Sequence, residues 1–326
     1  MKRRFFITGG MALALGAAIR PACANEADFR TWLQGVQREA IQRGIPAEIV
    51  ADALADVTPI PRVLELDRRQ PETTLTFDEY VSRVVTQTRI ETGRSRLREH
   101  RDLLEQVRRR YGVQPRFIVA LWAIETDFGR ITGNFSVIGA LATLAYDGRR
   151  SAFFREELFN ALKIVARGDI SAKDMRGSWA GAMGQSQFMP SSFLAYAVDF
   201  DGDGRADIWN SRADVFASIA NYLAAVGWRS NETWGREVRL PADFDRQLID
   251  HNKVQKTLRE WQALGVRRAD GSDLPAQDIS ASLIQPGGAD GPSFLIYNNY
   301  RVILRWNRSL YFATAVGFLA DHFDDS

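Results

Sequence analysis

One carboxylate stands where it could do chemistry. Glu125 lies in Leu121-Trp122-Ala123-Ile124-Glu125-Thr126-Asp127-Phe128-Gly129. On a helix its same-face neighbours are three and four positions away: Leu121, Trp122, Phe128 and Gly129, with no Lys, Arg or His among them. A carboxyl on such a face loses hydration with no local cation to replace it. Its pKa should rise, and it should hold a proton near neutral pH. That is the state a general acid needs to protonate a leaving oxygen. Asp127 sits roughly 200° further round the axis, so the two acids are not a local pair. The bland alternative is a glutamate at a helix end bonded to a loop.

A second cluster points to metal chemistry. Asp199-Phe200-Asp201-Gly202-Asp203-Gly204-Arg205-Ala206-Asp207 fits the opening of an EF-hand loop. The carboxylates of Asp199, Asp201 and Asp203 would converge on one hard cation, Gly204 permits the sharp turn, and Arg205 would offer its carbonyl. Position twelve of the loop, 199–210, should be a bidentate glutamate and is Asn210, which weakens affinity. A metal-free Asp/Gly turn is the alternative, although three clustered aspartates repel one another without a cation. A structural Ca2+ is the expectation.

These groups must be held by elements. Residues 29–55 repeat apolar side chains at helical spacing and split at Gly44 and Pro46 into two helices. Residues 58–76, with three prolines, read as an irregular linker containing a short helix. Residues 77–111 form one long helical pattern, with a candidate break near Gly93. Gly112 ends it and Pro115 opens the helix that carries Glu125. Further helices are expected over 136–146, 151–167, 190–196 and 215–226, with a glycine-rich loop at 177–184. Beyond Trp234 short strands are expected near 237–240 and 283–284, then a hairpin of 294–297 with 300–304 around Asn298-Asn299, then a last helix over 310–322. The fold class is mostly α (α+β), with a small C-terminal β-containing section at about 237–305.

The 326 residues, 45% hydrophobic and 25% charged, suit a soluble globular protein with a sizeable core. Residues 1–24 read as an export signal: Lys2-Arg3-Arg4, an apolar run too short to span a bilayer comfortably, and a small-x-small site at Ala22-Cys23-Ala24. Both twin-arginine and Sec export fit, and the expected location is the periplasm. Cys23 is the single cysteine, and Arg20 disfavours a lipid-anchor reading. Cleavage after Ala24 leaves residues 25–326 with no cysteine, hence no disulfide or thiol chemistry. It also takes four of the 42 basic residues and no acid, leaving 38 against 40 acidic. That balance argues against a general nucleic-acid binder. The arginine-rich stretch 94–110 is interleaved with acids and reads as a solvated helix face. No other segment is apolar enough to cross a membrane.

The Glu125 segment through Arg130 resembles the catalytic segment of the membrane-bound lytic murein transglycosylase B family, bacterial enzymes with a lysozyme-like core. Residues 181–192, the aspartate loop from Tyr196 and Ser218-Ile219-Ala220-Asn221-Tyr222 also match, in family order. Each piece is weak alone; the combination is specific, and similarity runs from about Phe29 to the C-terminus. The resemblance implies a lytic transglycosylase with a single catalytic carboxylate, where ordinary glycosidases use two. Glu125 would protonate the oxygen between N-acetylmuramic acid and N-acetylglucosamine. It would then take the proton from the muramoyl 6-hydroxyl as that group closes a 1,6-anhydro ring.

The resemblance further implies that Ser178 and Gln187 contact sugar near the scissile bond. Phe188, Met189 and Tyr222 would form apolar groove surfaces, Arg149 and Arg150 would meet the acidic peptide stem, and Asn307 would face the glutamate. Asp214 would close the calcium site. Phe312 departs from the family, which usually has tyrosine there. Glycan strands and peptide stems are the implied partners, with cell-wall synthases or amidases as candidate protein partners; no organic cofactor is implied. Two alternatives stand beside this reading: a non-catalytic murein-binding scaffold and a hydrolytic muramidase.

Overall fold

The computed structural model describes residues 26–68 and 75–324, so the expected leader and Cys23 lie outside the described residues. The chain opens with helices α1 (Glu26–Gln42), α2 (Ala47–Leu54) and α3 (Pro61–Arg68), followed by α4 (Phe77–Val84), α5 (Gln87–Glu99), α6 (Arg101–Tyr111) and α7 (Pro115–Thr126). A two-residue strand β1 (Phe135–Ser136) leads to α8 (Val137–Tyr146) and α9 (Ser151–Arg167); strand β2 (Arg176–Gly177) then pairs back antiparallel on β1. Helices α10 (Pro190–Tyr196) and α11 (Arg212–Ala225) flank the aspartate loop.

The remaining chain builds strands β3 (Gly235–Arg239), β4 (Lys256–Thr257), β5 (Arg267–Arg268), β6 (Ser280–Ile284) and β7 (Ser293–Ile296), with α12 (Leu258–Ala263) between β4 and β5. Helices α13 (Asn298–Trp306) and α14 (Leu310–Asp324) complete it. Among the described residues no helix is long and apolar enough to cross a membrane.

The expected long helix over 77–111 is three helices. The chain leaves helical geometry at Val85 (φ −95°, ψ 73°), and Thr86 caps α5 by accepting the Arg89 N–H at 3.2 Å. It leaves again at His100 (φ −107°, ψ 20°). Gly93 is not a break but a close-packing position inside α5, where an added Cβ would lie 2.1 Å from the Phe323 ring of α14. Periodicity carries through both breaks because the three helices present apolar residues to one core.

The expected hairpin around Asn298-Asn299 is also overturned: residues 298–306 are helix α13. The Asn pair mimics a turn signal, but Asn299 is fully buried, donating to the carbonyls of Arg229 and Glu232 and accepting the Arg229 N–H. Tyr300 and Ile303, three apart, then pack on the core as a helix requires. Strand β7 pairs instead with β3 and β6, within an antiparallel sheet ordered β4-β6-β7-β3-β5. Alternation along β7 sends Phe294 and Ile296 into the main helical core and Leu295 and Tyr297 into a second, smaller core around Trp261. The sheet is thus buried on both faces. α7 lies at the centre of the main core, packed by α14, α5, α11 and α6, with residues 117–123 all buried.

Candidate active site

Glu125 sits in the last turn of α7. Pro115 opens this helix, and its end is abrupt: Asp127, Phe128 and Gly129 all have positive φ, at 51°, 61° and 83°. Two non-glycine residues in that region are strained unless their surroundings hold them. Phe128 is pinned edge-on to Trp122, with ring centroids 5.5 Å apart. The Gly129 N–H and the Ile131 N–H close on the Thr126 hydroxyl and carbonyl at 3.0 and 2.8 Å. Gly129 also needs its missing side chain, since a Cβ would meet the Gln185 side-chain oxygen at 2.2 Å.

Gln185 is the clamp on this turn. It is buried, and both ends of its amide are used: Oε1 accepts the Trp122 indole N–H at 2.9 Å and Nε2 donates to the Trp209 carbonyl at 2.6 Å. Its backbone N–H donates to the Ile208 carbonyl, and its own carbonyl accepts the Thr126 hydroxyl at 2.9 Å. One residue thereby joins α7 to the 184–189 turn and to the segment leading into α11.

The Glu125 side chain is partly open to the cleft but closely ringed by protein. Burial pushes its carboxyl up to about 7, against a smaller opposing effect of the Trp306 indole N–H, which donates to Oε1 at 2.7 Å. The position at a helix C-terminus acts in the same direction as burial, because the last carbonyls disfavour a negative charge. Trp306 is the last residue of α13 and starts an aromatic wall. Its ring lies 4.8 Å from Tyr222 and 5.2 Å from Phe188, and Tyr222 packs at 4.6 Å on Tyr196. The Tyr222 hydroxyl donates to the Arg305 carbonyl at 2.8 Å. Such a wall offers ring faces to a sugar beside a proton donor.

Among the described residues no second carboxylate joins Glu125. Asp127 is drawn off to Arg130 at 2.6 Å and Arg89 at 3.7 Å. Gln187 stands in the left-handed region (φ 49°) and donates its amide to the Thr132 and Gly184 carbonyls at 3.1 and 3.0 Å. Its side-chain oxygen has no protein partner among the described residues. The Ser178 hydroxyl accepts the Ala182 N–H at 3.0 Å and so shapes its own turn.

Three expected placements differ. Phe188 is 3% exposed and supports Trp306 and Tyr222 from behind instead of forming the groove surface; Met189 beside it is partly exposed. Arg149 and Arg150 both grip the buried Asp67, Arg149 through Nε at 2.9 Å and Arg150 through Nη2 at 2.8 Å, so two guanidinium groups share one carboxylate. Asn307 is the C-cap of α13 and accepts the Ser309 N–H at 3.0 Å; its neighbour Trp306, which no local pattern singles out, is the residue bonded to Glu125. Phe312 is buried in the main core, and Tyr311 packs on Phe77 and Tyr80.

Replacing Trp306 with phenylalanine removes the donor that favours the Glu125 carboxylate. The basic limb of the pH profile for kcat/KM, set near 7 in the parent, is expected to move upward by about half a unit to one unit. A limb that moves downward, or stays, contradicts the assignment.

In the aspartate loop, oxygens of Asp199, Asp201 and Asp203 all lie within 4.8 Å of one another. Two ligands on opposite sides of a calcium ion at ~2.4 Å each are ~4.8 Å apart, so the trio fits that cation. Gly202 and Gly204 take φ of 81° and 94° at the turn. Asp214 is not in the trio. It is fully buried and accepts the Phe200 and Asp207 N–H groups at 2.7 and 2.8 Å, acting as the brace that carries the loop on α11. The Arg205 guanidinium reaches Asp203 at 3.2 Å.

The transglycosylase SLT domain family matches residues 28–321. The membrane-bound lytic murein transglycosylase B of Escherichia coli (strain K12) is 29% identical over 299 residues, spanning 87% of this chain and 80% of that protein. SltB3 from Pseudomonas aeruginosa, solved with NAG-anhNAM-pentapeptide, superposes with a TM-score of 0.88 at 46% identity, covering 91% of this chain and 79% of that one. The Escherichia coli lytic transglycosylase Slt35, solved in complex with calcium, superposes at 0.77 with 28% identity, covering 90% and 92%.

Proposed function

The chain belongs to the transglycosylase SLT family, and on that premise we propose that it cleaves peptidoglycan glycan strands non-hydrolytically, with Glu125 acting alone as acid and then base. The observation that carries this reading is one carboxyl, pushed up to about 7 by burial and bonded among the described residues only to a neutral indole N–H, with the nearest acid in sequence committed to arginines. Protonated Glu125 gives its proton to the oxygen between muramoyl C1 and N-acetylglucosamine, and the C1–O bond breaks. The muramoyl N-acetyl group stabilises the cationic centre. The 6-hydroxyl then attacks C1, and its proton returns to Glu125. No water is consumed, and the enzyme ends in its starting state. The usual hydrolase has a second carboxylate, as nucleophile or to activate water.

Digestion in 18O-labelled water tests this. Products free of label are expected; label at the new muramoyl C1 would make the enzyme a muramidase, and absence of any product would make it a scaffold. Murein strands with their stems are the proposed partners, and the cell-wall compartment outside the cytoplasm the proposed location.

We also propose that Asp199, Asp201 and Asp203 hold a structural Ca2+ that stiffens the loop between α10 and α11. Calcium at a hundred times its Kd would stabilise the fold by about 2.7 kcal/mol. A melting rise on the order of 5 °C over chelator is expected, and Asp201→Asn should blunt it. Identical melts in calcium and chelator would remove the ion from the account.

A further inference from the structure

Behind the catalytic turn, on the α5 side of α7, is a cavity of about 670 Å³ that none of the chemistry above uses. Four guanidinium groups line it: Arg89 and Arg96 from α5, Arg130 just beyond α7, and Arg212 from the first turn of α11. Asp127 is the single acid in its wall.

The local acids do not balance these charges. Asp127 serves Arg130 at 2.6 Å and Arg89 at 3.7 Å, and Glu99, outside the wall, pairs with Arg96. Arg212 has no carboxylate partner among the described residues; it lies over the Trp122 ring, 5.1 Å from its centroid. Buried donor nitrogens lacking a hydrogen-bond acceptor sit on three of the four: Arg89 Nε, Arg96 Nε and Arg212 Nη1. Burial, and then the charge of Arg96, act against Arg212 holding its proton, opposed by a smaller effect of Glu99. Converging like charges with unused donors are costly unless an anion completes them.

We propose that this cavity is an oxyanion subsite that takes a carboxylate or phosphate group, with Arg212 as its principal ligand, Arg96 beside it and Arg130 at the rim. Planar guanidinium forks suit both groups. The cavity wall runs through Asp127, Phe128, Gly129 and Arg130, the segment continuous with Glu125, so occupancy bears directly on the turn that holds the catalytic acid. Two sources carry the chemistry. One is a free carboxylate of the murein peptide stem, which rests on the function proposed above. The other is a free anion such as inorganic phosphate, which does not. Of these four arginines Arg212 has no carboxylate within ion-pair distance among the described residues, whereas Arg149 and Arg150 share the carboxylate of Asp67.

The test is calorimetric titration of the Glu125→Gln protein, which binds without turnover, so its outcome is separate from the question of product chemistry. The probes are inorganic phosphate, a disaccharide muropeptide with free stem carboxylates, and the same muropeptide with those carboxylates amidated. Adding Arg212→Gln is expected to weaken binding of the anionic probe by about tenfold. Arg130→Gln, at an exposed rim position, is expected to weaken it by about threefold. Arginine-dependent preference for the free-stem muropeptide over its amidated form assigns the stem; arginine-dependent phosphate binding with no such preference assigns the free anion. No saturable binding by any anionic probe, or equal binding with and without the arginine changes, overturns the subsite.

Discussion

Glu125→Gln is expected to lower kcat for glycan cleavage by about 10³-fold or more, because it removes both the proton donor and the returning base. The same change should stabilise the protein, in a pH-dependent way. The Glu125 carboxyl is raised from 4.5 to about 7 in the fold. Below pH 4.5 the folded and unfolded chains both carry the proton, and glutamate costs nothing relative to glutamine. Between 4.5 and 7 the unfolded chain releases the proton while the folded chain keeps it, so parent stability declines as pH rises. Above 7 the full penalty is present. The gain from Glu125→Gln should therefore be near zero at pH 4 and reach on the order of 1–3 kcal/mol at pH 8, reduced by solvent in the cleft. Denaturant midpoints at the two pH values measure it. Retained turnover would remove Glu125 from the chemistry, and a gain independent of pH would contradict its raised pKa.

The second large effect belongs to a residue that touches no substrate. Gln185→Leu keeps the bulk of the side chain but leaves the Trp122 indole N–H and the Trp209 carbonyl without the partner that Gln185 supplied. Each orphaned buried group costs about 1–3 kcal/mol, so a total loss of about 2–5 kcal/mol is expected in a thermal or denaturant melt. Because Trp122 lies one turn before Glu125 and Gln185 packs on Gly129 just after it, kcat should fall as well, by about tenfold or more where positioning is lost. KM should change much less, since no substrate contact is removed. A variant as stable and as fast as the parent would mean that the Gln185 clamp does not hold the catalytic turn.

How far these features can be read from the chain depends on their range. The apolar setting of Glu125 is local: Leu121, Trp122, Phe128 and Gly129 are spaced by the helix itself, and the raised pKa follows from that spacing. The Asp199, Asp201 and Asp203 cluster is local too, since alternate positions in a tight turn must converge. Trp306 lies 181 residues from Glu125, and no local pattern links an indole to a carboxyl at that distance. The difficulty was compounded because its segment reads as a strand; Asn298-Asn299 has turn composition, and only the buried bonds of Asn299 to the 229–232 loop make it a helix start. The Arg149 and Arg150 pair faces the same limit, for its partner Asp67 is over 80 residues earlier. Gly93 shows the reverse error. A glycine within a helical pattern reads as a break, but here it admits the Phe323 ring from the far end of the chain, while the real breaks, at Val85 and His100, carry no glycine or proline.

If the single carboxyl of Glu125 cuts the strand without water, each cut leaves a ring-closed end, which mass spectrometry of muropeptides released from purified sacculi detects. Every new muramoyl end is expected to be the 1,6-anhydro form, one water lighter than a reducing end and inert to borohydride, with none released by Glu125→Gln. Reducing muramoyl ends from the parent enzyme, or anhydro ends from the variant, would contradict it.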